Sequence, residues 1–237
     1  MRGSINSYEK KVRSQNGEDG IIEELFLRIG TTNKYFVEIG VQDGSECNTA
    51  YLSLFNNWSG LMIEGHEENY KRLKANFSNH KFVKTVHQFV TKDNISSIFK
   101  HNYVPAEFDL LSIDIDGNDY WAWNALIEYK PRIVVIEYNA SYPPPKKMVI
   151  PYNPNFVWDG TSYYGASLTS LSELAKKLGY ALLGTDLRGV NAFFIRKDLV
   201  ALSGFQELTP EHGYHLPTYN NGPLGGHPWR DCPILEI

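Results

Sequence analysis

Oxygen-bearing side chains gather at the ends of two strand-like runs, and their spacing points to chemistry. In Phe108-Asp-Leu-Leu-Ser-Ile-Asp-Ile-Asp116, Asp114 and Asp116 fall on one face of an extended chain. Carboxylates this close repel one another unless they share a proton, a cation or a positively charged ligand. The run Arg132-Ile-Val-Val-Ile-Glu-Tyr-Asn139 ends in Glu137 and Asn139, again on a common face. As neighbouring strands the two runs would bring four such side chains together. A hard divalent cation such as Mg²⁺ would suit them, with Asp116, Glu137 and Asn139 as its expected ligands. Without a metal the same groups can hold a polar acceptor or an amino group, or serve only as caps.

A second constellation lies earlier. Tyr35-Phe-Val-Glu-Ile-Gly-Val-Gln-Asp-Gly-Ser45 reads as a buried strand entering a glycine-bearing turn, with Glu38 near the strand's end. Gly40 and Gly44 allow the backbone to pass close to a ligand. Cys47 to Phe55 can start a helix whose free N–H groups face the turn. The dinucleotide pattern G-x-G-x-x-G is absent. Gly60-Leu-Met-Ile-Glu64 ends in a carboxylate able to accept both hydroxyls of a ribose; as a bland alternative, Glu64 favours the dipole of the helix that follows. After the third run, Gln88 beside Phe89 can read and stack on adenine. An acidic residue and a spaced glycine pair suit a cationic, amine-bearing nucleoside, such as S-adenosyl-L-methionine, better than a pyrophosphate.

The elements that position these residues follow from periodicity. Apolar runs at 35–41, 60–64, 82–86, 108–115, 132–138, 181–186 and 191–197 predict seven strands. Helical spacing covers Glu18 to Ile29, Glu67 to Phe77, Tyr120 to Ile127 and Ser167 to Leu178, the last closed by Gly179. This alternation predicts an α/β fold: a Rossmann-like, mostly parallel seven-stranded sheet with helices on both faces. The short link Leu187–Val190 makes the last two strands an antiparallel C-terminal hairpin. The whole chain, 1–237, reads as a single domain with an inserted loop at 141–166, rich in proline and aromatics, and an irregular C-terminal extension at 200–237. Both stretches exceed ordinary connections, which favours a lid or an oligomer contact, although they can also simply cover sheet ends.

Composition removes several classes. With 23 basic and 27 acidic residues the net charge is −4, so nucleic acid is not an expected partner. No apolar run reaches membrane-spanning length, no signal-like segment opens the chain, and two cysteines make no disulfide framework; a cytoplasmic enzyme is expected. Zinc spacing, the Gly-x-Ser-x-Gly elbow and a phosphate-cradling glycine–lysine loop are all missing. Of the seven histidines, His66 follows Glu64 closely enough to face a reaction centre.

Taken together, Ser14-Gln-Asn-Gly-Glu-Asp19, Phe36 to Gly44, Met62-Ile-Glu64, Ser112-Ile-Asp-Ile-Asp-Gly117 and Ile136-Glu137 resemble the class I S-adenosylmethionine-dependent methyltransferases, and more narrowly the FkbM-type family, over roughly residues 14–197. The resemblance implies that Glu38, Gly40 and Gly44 hold the methionine moiety and that Glu64 binds ribose. It places Asp114 beside the transferred methyl, and Gln15 and Asp19 at the border of the cofactor. The family's fourth-strand motif usually reads Lys-Ile-Asp-Val-Glu-Gly; here Ser112 replaces the lysine and Asp116 the glutamate. The expected activity is O-methylation of a small hydroxylated acceptor, a sugar or glycoside, with Asp114 or His66 as base or with Mg²⁺ held through Asp116. The competing readings are a small-molecule N-methyltransferase, a nicotinamide dehydrogenase and a non-catalytic nucleoside-binding module of the same fold; a homo-oligomer is compatible with all of them.

Overall fold

The computed structural model describes residues 3–220 and 225–237, so residues 221–224 of the C-terminal extension lie outside the described part. Seven strands form one sheet: β1 (Tyr35–Ile39), β2 (Ser59–Glu64), β3 (Val83–His87), β4 (Glu107–Ile113), β5 (Lys130–Glu137), β6 (Tyr180–Thr185) and β7 (Asn191–Arg196), in the order β3-β2-β1-β4-β5-β7-β6. β1 to β5 run parallel, and β7 is antiparallel to both β5 and β6. The predicted α/β architecture with its terminal hairpin is therefore the one observed.

Side-chain alternation divides the apolar residues between two layers. Val37, Ile39, Leu61, Ile63, Leu111 and Val134 face one side. Phe36, Met62, Leu110, Ile133 and Val135 face the other. Helix α1 (Glu18–Ile29) covers the second side with Ile21, Ile22 and Leu25, joined by α2 (Ala50–Phe55) and α3 (Glu67–Asn76) through Leu52 and Leu73. α4 (Ile95–His101), α5 (Asp119–Asn124) and α6 (Leu168–Leu178) cover the first with Phe99, Trp123 and Leu171. Two short helices, α7 (Val200–Ser203) and α8 (Pro210–Gly213), follow the sheet. Helix α4 lies outside the predicted helices because its seven residues span only two turns, too short a window for the i, i+3, i+4 placement of Ile95, Ile98 and Phe99 to read as a period.

Chain order reverses between β1 and β4, which opens a crevice at the carboxyl ends of the parallel strands. The opposite end is closed by polar bonding. Buried Asp109 accepts from the backbone N–H groups of Thr32, Asn33 and Lys34 and pairs with Arg132, which donates to the carbonyls at the end of α1. The inserted loop and the extension pack on each other: Val149 bridges both Ala166 and Leu235, and Ser162 N donates to the Pro228 carbonyl. No helix among the described residues is long and apolar enough to cross a membrane.

Candidate active site

β1 stops at Ile39 because Gly40 takes φ +84° and sits against the Asp114 carbonyl, where any Cβ would overlap that oxygen. This close approach joins the ends of β1 and β4 beneath a cavity of about 530 Å³. Glu38, Gly40, Glu64, Asp114, Asp116 and Glu137 all line it, as do Gln15, His66 and Gln88.

Glu38 accepts from Asn48 N (2.8 Å) and Thr49 N (2.9 Å) and from the Thr49 hydroxyl, and so anchors the start of α2. Burial pushes its pKa up while those bonds pull it down. Glu64 accepts with one oxygen from Gln42 N (2.7 Å) and with the other from His66 N (2.6 Å). It locks the turn after β1 to the start of α3, and each oxygen keeps acceptor capacity for a ligand.

Asp114, Asp116 and Glu137 form the centre of the cavity, with one oxygen from each lying within 4.8 Å of the others. The register pairs Ile113 with Ile136, so the next residues along, Asp114 and Glu137, stand side by side. Asp116 joins them because it adopts φ +54° and turns the chain back. Burial is the main cause that drives Asp114 and Glu137 well above the ordinary carboxylate range, and the strongest charges acting on both are other carboxylates. Asp116 shifts upward for the same reason, with Glu64 adding to it. Behind them Asp119 accepts from Ile115 N and Gly117 N and shapes the loop; burial raises its pKa to about 6.

Three expected site residues are placed elsewhere. Asn139 is fully buried; its amide donates to the Ser162 and Tyr164 carbonyls (both 2.8 Å), and its oxygen accepts from Ser141 N. It fastens the inserted loop and does not join the carboxylates. Asp19 points into its own segment, where it accepts from Val12 N, Arg13 N and Ser14 N. Gly44 has φ +73°, and a Cβ there would strike Leu73 and Phe77, so its glycine serves the packing of α3.

Other lining residues were not singled out in the sequence. Asn118 and Asn191 both border the cavity. Asn118 Nδ2 donates to the Asn153 carbonyl, and Asn191 Nδ2 donates to Glu18 (both 2.8 Å). Their Oδ1 atoms, like Glu137 Oε2, are buried without a partner among the described residues. Asn191 gets its place from the β5–β7 register, opposite Glu137, and that long-range pairing leaves no local signal. On the outer side, the inserted loop supplies Phe156 and Trp158, and the extension supplies Tyr219 and His227. The rings of Trp158 and His227 lie 4.5 Å apart. The aromatic richness of both stretches was the only hint. No lysine or arginine is among the described residues that line the cavity.

No family model matches the chain, and no curated protein matches it. Solved structures that resemble it include the N-terminal domain of EvdMO1 with SAH bound, with 13% identity over 77% of this chain and 80% of that one and a TM-score of 0.49. An S-adenosylmethionine-dependent methyltransferase from Clostridium acetobutylicum ATCC 824 has 12% identity over 75% and 89%, with a TM-score of 0.47. Precorrin-6y C5,15-methyltransferase from Geobacter metallireducens GS-15 has 12% identity over 78% and 89%, with a TM-score of 0.44. These are distant likenesses in the course of the chain, and they assign neither ligand nor reaction to this protein.

Proposed function

We propose that this chain is a cytoplasmic class I methyltransferase of the FkbM type, which transfers the methyl group of S-adenosyl-L-methionine to a hydroxyl of a sugar or glycoside. The observation that carries this reading is the cavity at the β1/β4 crevice, walled by carboxylates and free of lysine and arginine among the described residues. A ribose needs acceptors, which Glu64 offers. A sulfonium and an ammonium need negative charge, which the carboxylates supply. A pyrophosphate would meet repulsion there, which weighs against a nicotinamide dinucleotide.

Methyl transfer is an in-line displacement, so the protein's part is to align two substrates and manage one proton. In this reading Asp114 lies by the methyl and either Asp114 or His66 takes the hydroxyl proton. Mg²⁺ belongs to the same reading as a means of acidifying a vicinal diol. The aromatic wall of Phe156, Trp158, Tyr219 and His227 supports an acceptor with a ring to stack. Methylation of an amine is the competing reading, because the acidic wall also suits an ammonium group.

The test is calorimetric titration of the purified protein with S-adenosylhomocysteine, beside the same titration with NAD. Micromolar binding of the first alone is expected. Absence of binding at millimolar concentration, or preference for NAD, would overturn the proposal.

A further inference from the structure

We infer that Asp114, Asp116 and Glu137 form the seat of one hard divalent cation, with the Oε2 atom of Glu137 among its ligands. The inference leans on the methyl-transfer reading only for the cation's purpose. Its existence rests on the geometry of this chain.

The three carboxylates come from two adjacent strand ends and one reversed loop, and one oxygen of each lies within 4.8 Å of the others. Oxygens on opposite sides of a calcium ion stand roughly 4.6–5.2 Å apart, and on magnesium about 4.2 Å. With every pair inside 4.8 Å, the three oxygens fall within the span that ligands of one such cation occupy. The ligand atoms are all oxygens, which favours magnesium, manganese or calcium over zinc or copper.

The unpartnered atoms point the same way. Glu137 is 9% exposed, and its Oε2 accepts no hydrogen bond among the described residues. Asn118, 3% exposed, lines the same cavity with an Oδ1 that is equally unpartnered; its amide group is fixed by the bond to the Asn153 carbonyl. A buried oxygen without a donor costs free energy unless a ligand completes it. The wall offers these oxygens no lysine or arginine among the described residues, so the missing partner is a cation or donor from solution. Its opening to the cavity leaves room for waters or for two oxygens of an acceptor, the arrangement by which a cation orients and acidifies a diol.

The probe is Mn²⁺, titrated into the full chain after EDTA treatment and followed by electron paramagnetic resonance. One site is expected. Asp116→Asn and Glu137→Gln should each weaken it on the order of a hundredfold. Glu68→Gln, a loss of charge on an exposed surface, should leave it unchanged. Asp114→Asn supplies a third variant if either of the others fails to fold by circular dichroism. Absence of bound Mn²⁺ at millimolar concentration would overturn the inference, as would binding that folded variants retain; the carboxylates would then be sharing protons. S-adenosylhomocysteine titrated into the same samples separates the two ideas. Nucleoside binding without Mn²⁺ would defeat the cation site alone, and Mn²⁺ binding without nucleoside would defeat the methyl-transfer reading alone.

Discussion

Asp114 and Glu137 stand side by side at the carboxyl ends of adjacent parallel strands, one step beyond the paired Ile113 and Ile136, and both are pushed well above the ordinary carboxylate range, chiefly by burial. Two such groups buried together disfavour the fold wherever both are charged. Replacing Glu137 with glutamine removes one charge at nearly constant shape. The variant should be more stable than the parent at pH 8, by about 1 kcal/mol, a gain typical of relieving a functional site. A raised carboxylate pKa means that the folded state is favoured by protonation, so the advantage should shrink as pH falls and the parent's own carboxyl takes up its proton. Urea denaturation at pH 8 and pH 5.5 checks this; a destabilised variant at pH 8 would show that the charge does not disfavour the fold.

The two glycines of the first turn should behave differently. A Cβ at Gly40 meets the Asp114 backbone, whereas one at Gly44 meets the Leu73 and Phe77 side chains. Gly40→Ala must shift the end of β4 and with it the cavity. Gly44→Ala should cost about 1–3 kcal/mol of stability through overpacking and positive φ while leaving nucleoside affinity intact in the folded protein. Thermal denaturation and S-adenosylhomocysteine titration of both variants would show this split. Equal loss of affinity would return Gly44 to the binding site.

The sheet, its hairpin and the strand-end carboxylates were legible because period-two alternation and turn residues report on local backbone. The errors begin where the chain leaves the strand. Asp114 and Asp116 do meet, but through a left-handed residue in place of the assumed extended chain. Beyond Glu137 the same assumption failed: Asn139 N donates to the Ala166 carbonyl, and its side chain turns into the loop. Asp19 stood in a run shared with the resembled family, and a shared run does not say whether a carboxylate meets ligand or backbone. Asn118, Asn191 and the aromatic wall owe their positions to contacts distant in sequence, which no local pattern encodes.

Asp186 gives the protein a pH dependence of defined sign. Its carboxylate accepts from Arg188 N and Val190 N in the β6–β7 turn, yet burial raises its pKa from 3.8 to about 7. The folded state therefore binds a proton that the unfolded chain releases. The stability tied to that proton is fully present below about pH 4 and lost as pH rises through 7. His215 and His227, lowered by burial, act oppositely as pH falls below 6.5. Melting temperature should thus rise as pH is lowered from 8 to 6.5. Asp186→Asn should flatten that rise while lowering stability throughout, since its amide cannot accept from both sides of the turn. A parent whose melting temperature is flat or falling over this interval would refute the assignment.

Glu64 couples structure to the proposed ligand most directly. Its two oxygens accept from Gln42 N and His66 N, which also line the cavity, and the same carboxylate is the one proposed to accept from ribose hydroxyls. Glu64→Ala deletes both uses. The turn bonds belong to the fold, so part of the effect is lost stability, which denaturation measures. The proposed ribose contact belongs to binding, and its loss should appear as S-adenosylhomocysteine affinity weakened by about one to two decades, the worth of about 1.5–3 kcal/mol for a hydrogen bond to a charged group. Calorimetry at a temperature where circular dichroism shows the variant folded separates the two. Affinity equal to the parent's would mean that Glu64 only ties the turns together, and that the ribose is held by some other acceptor of the acidic wall.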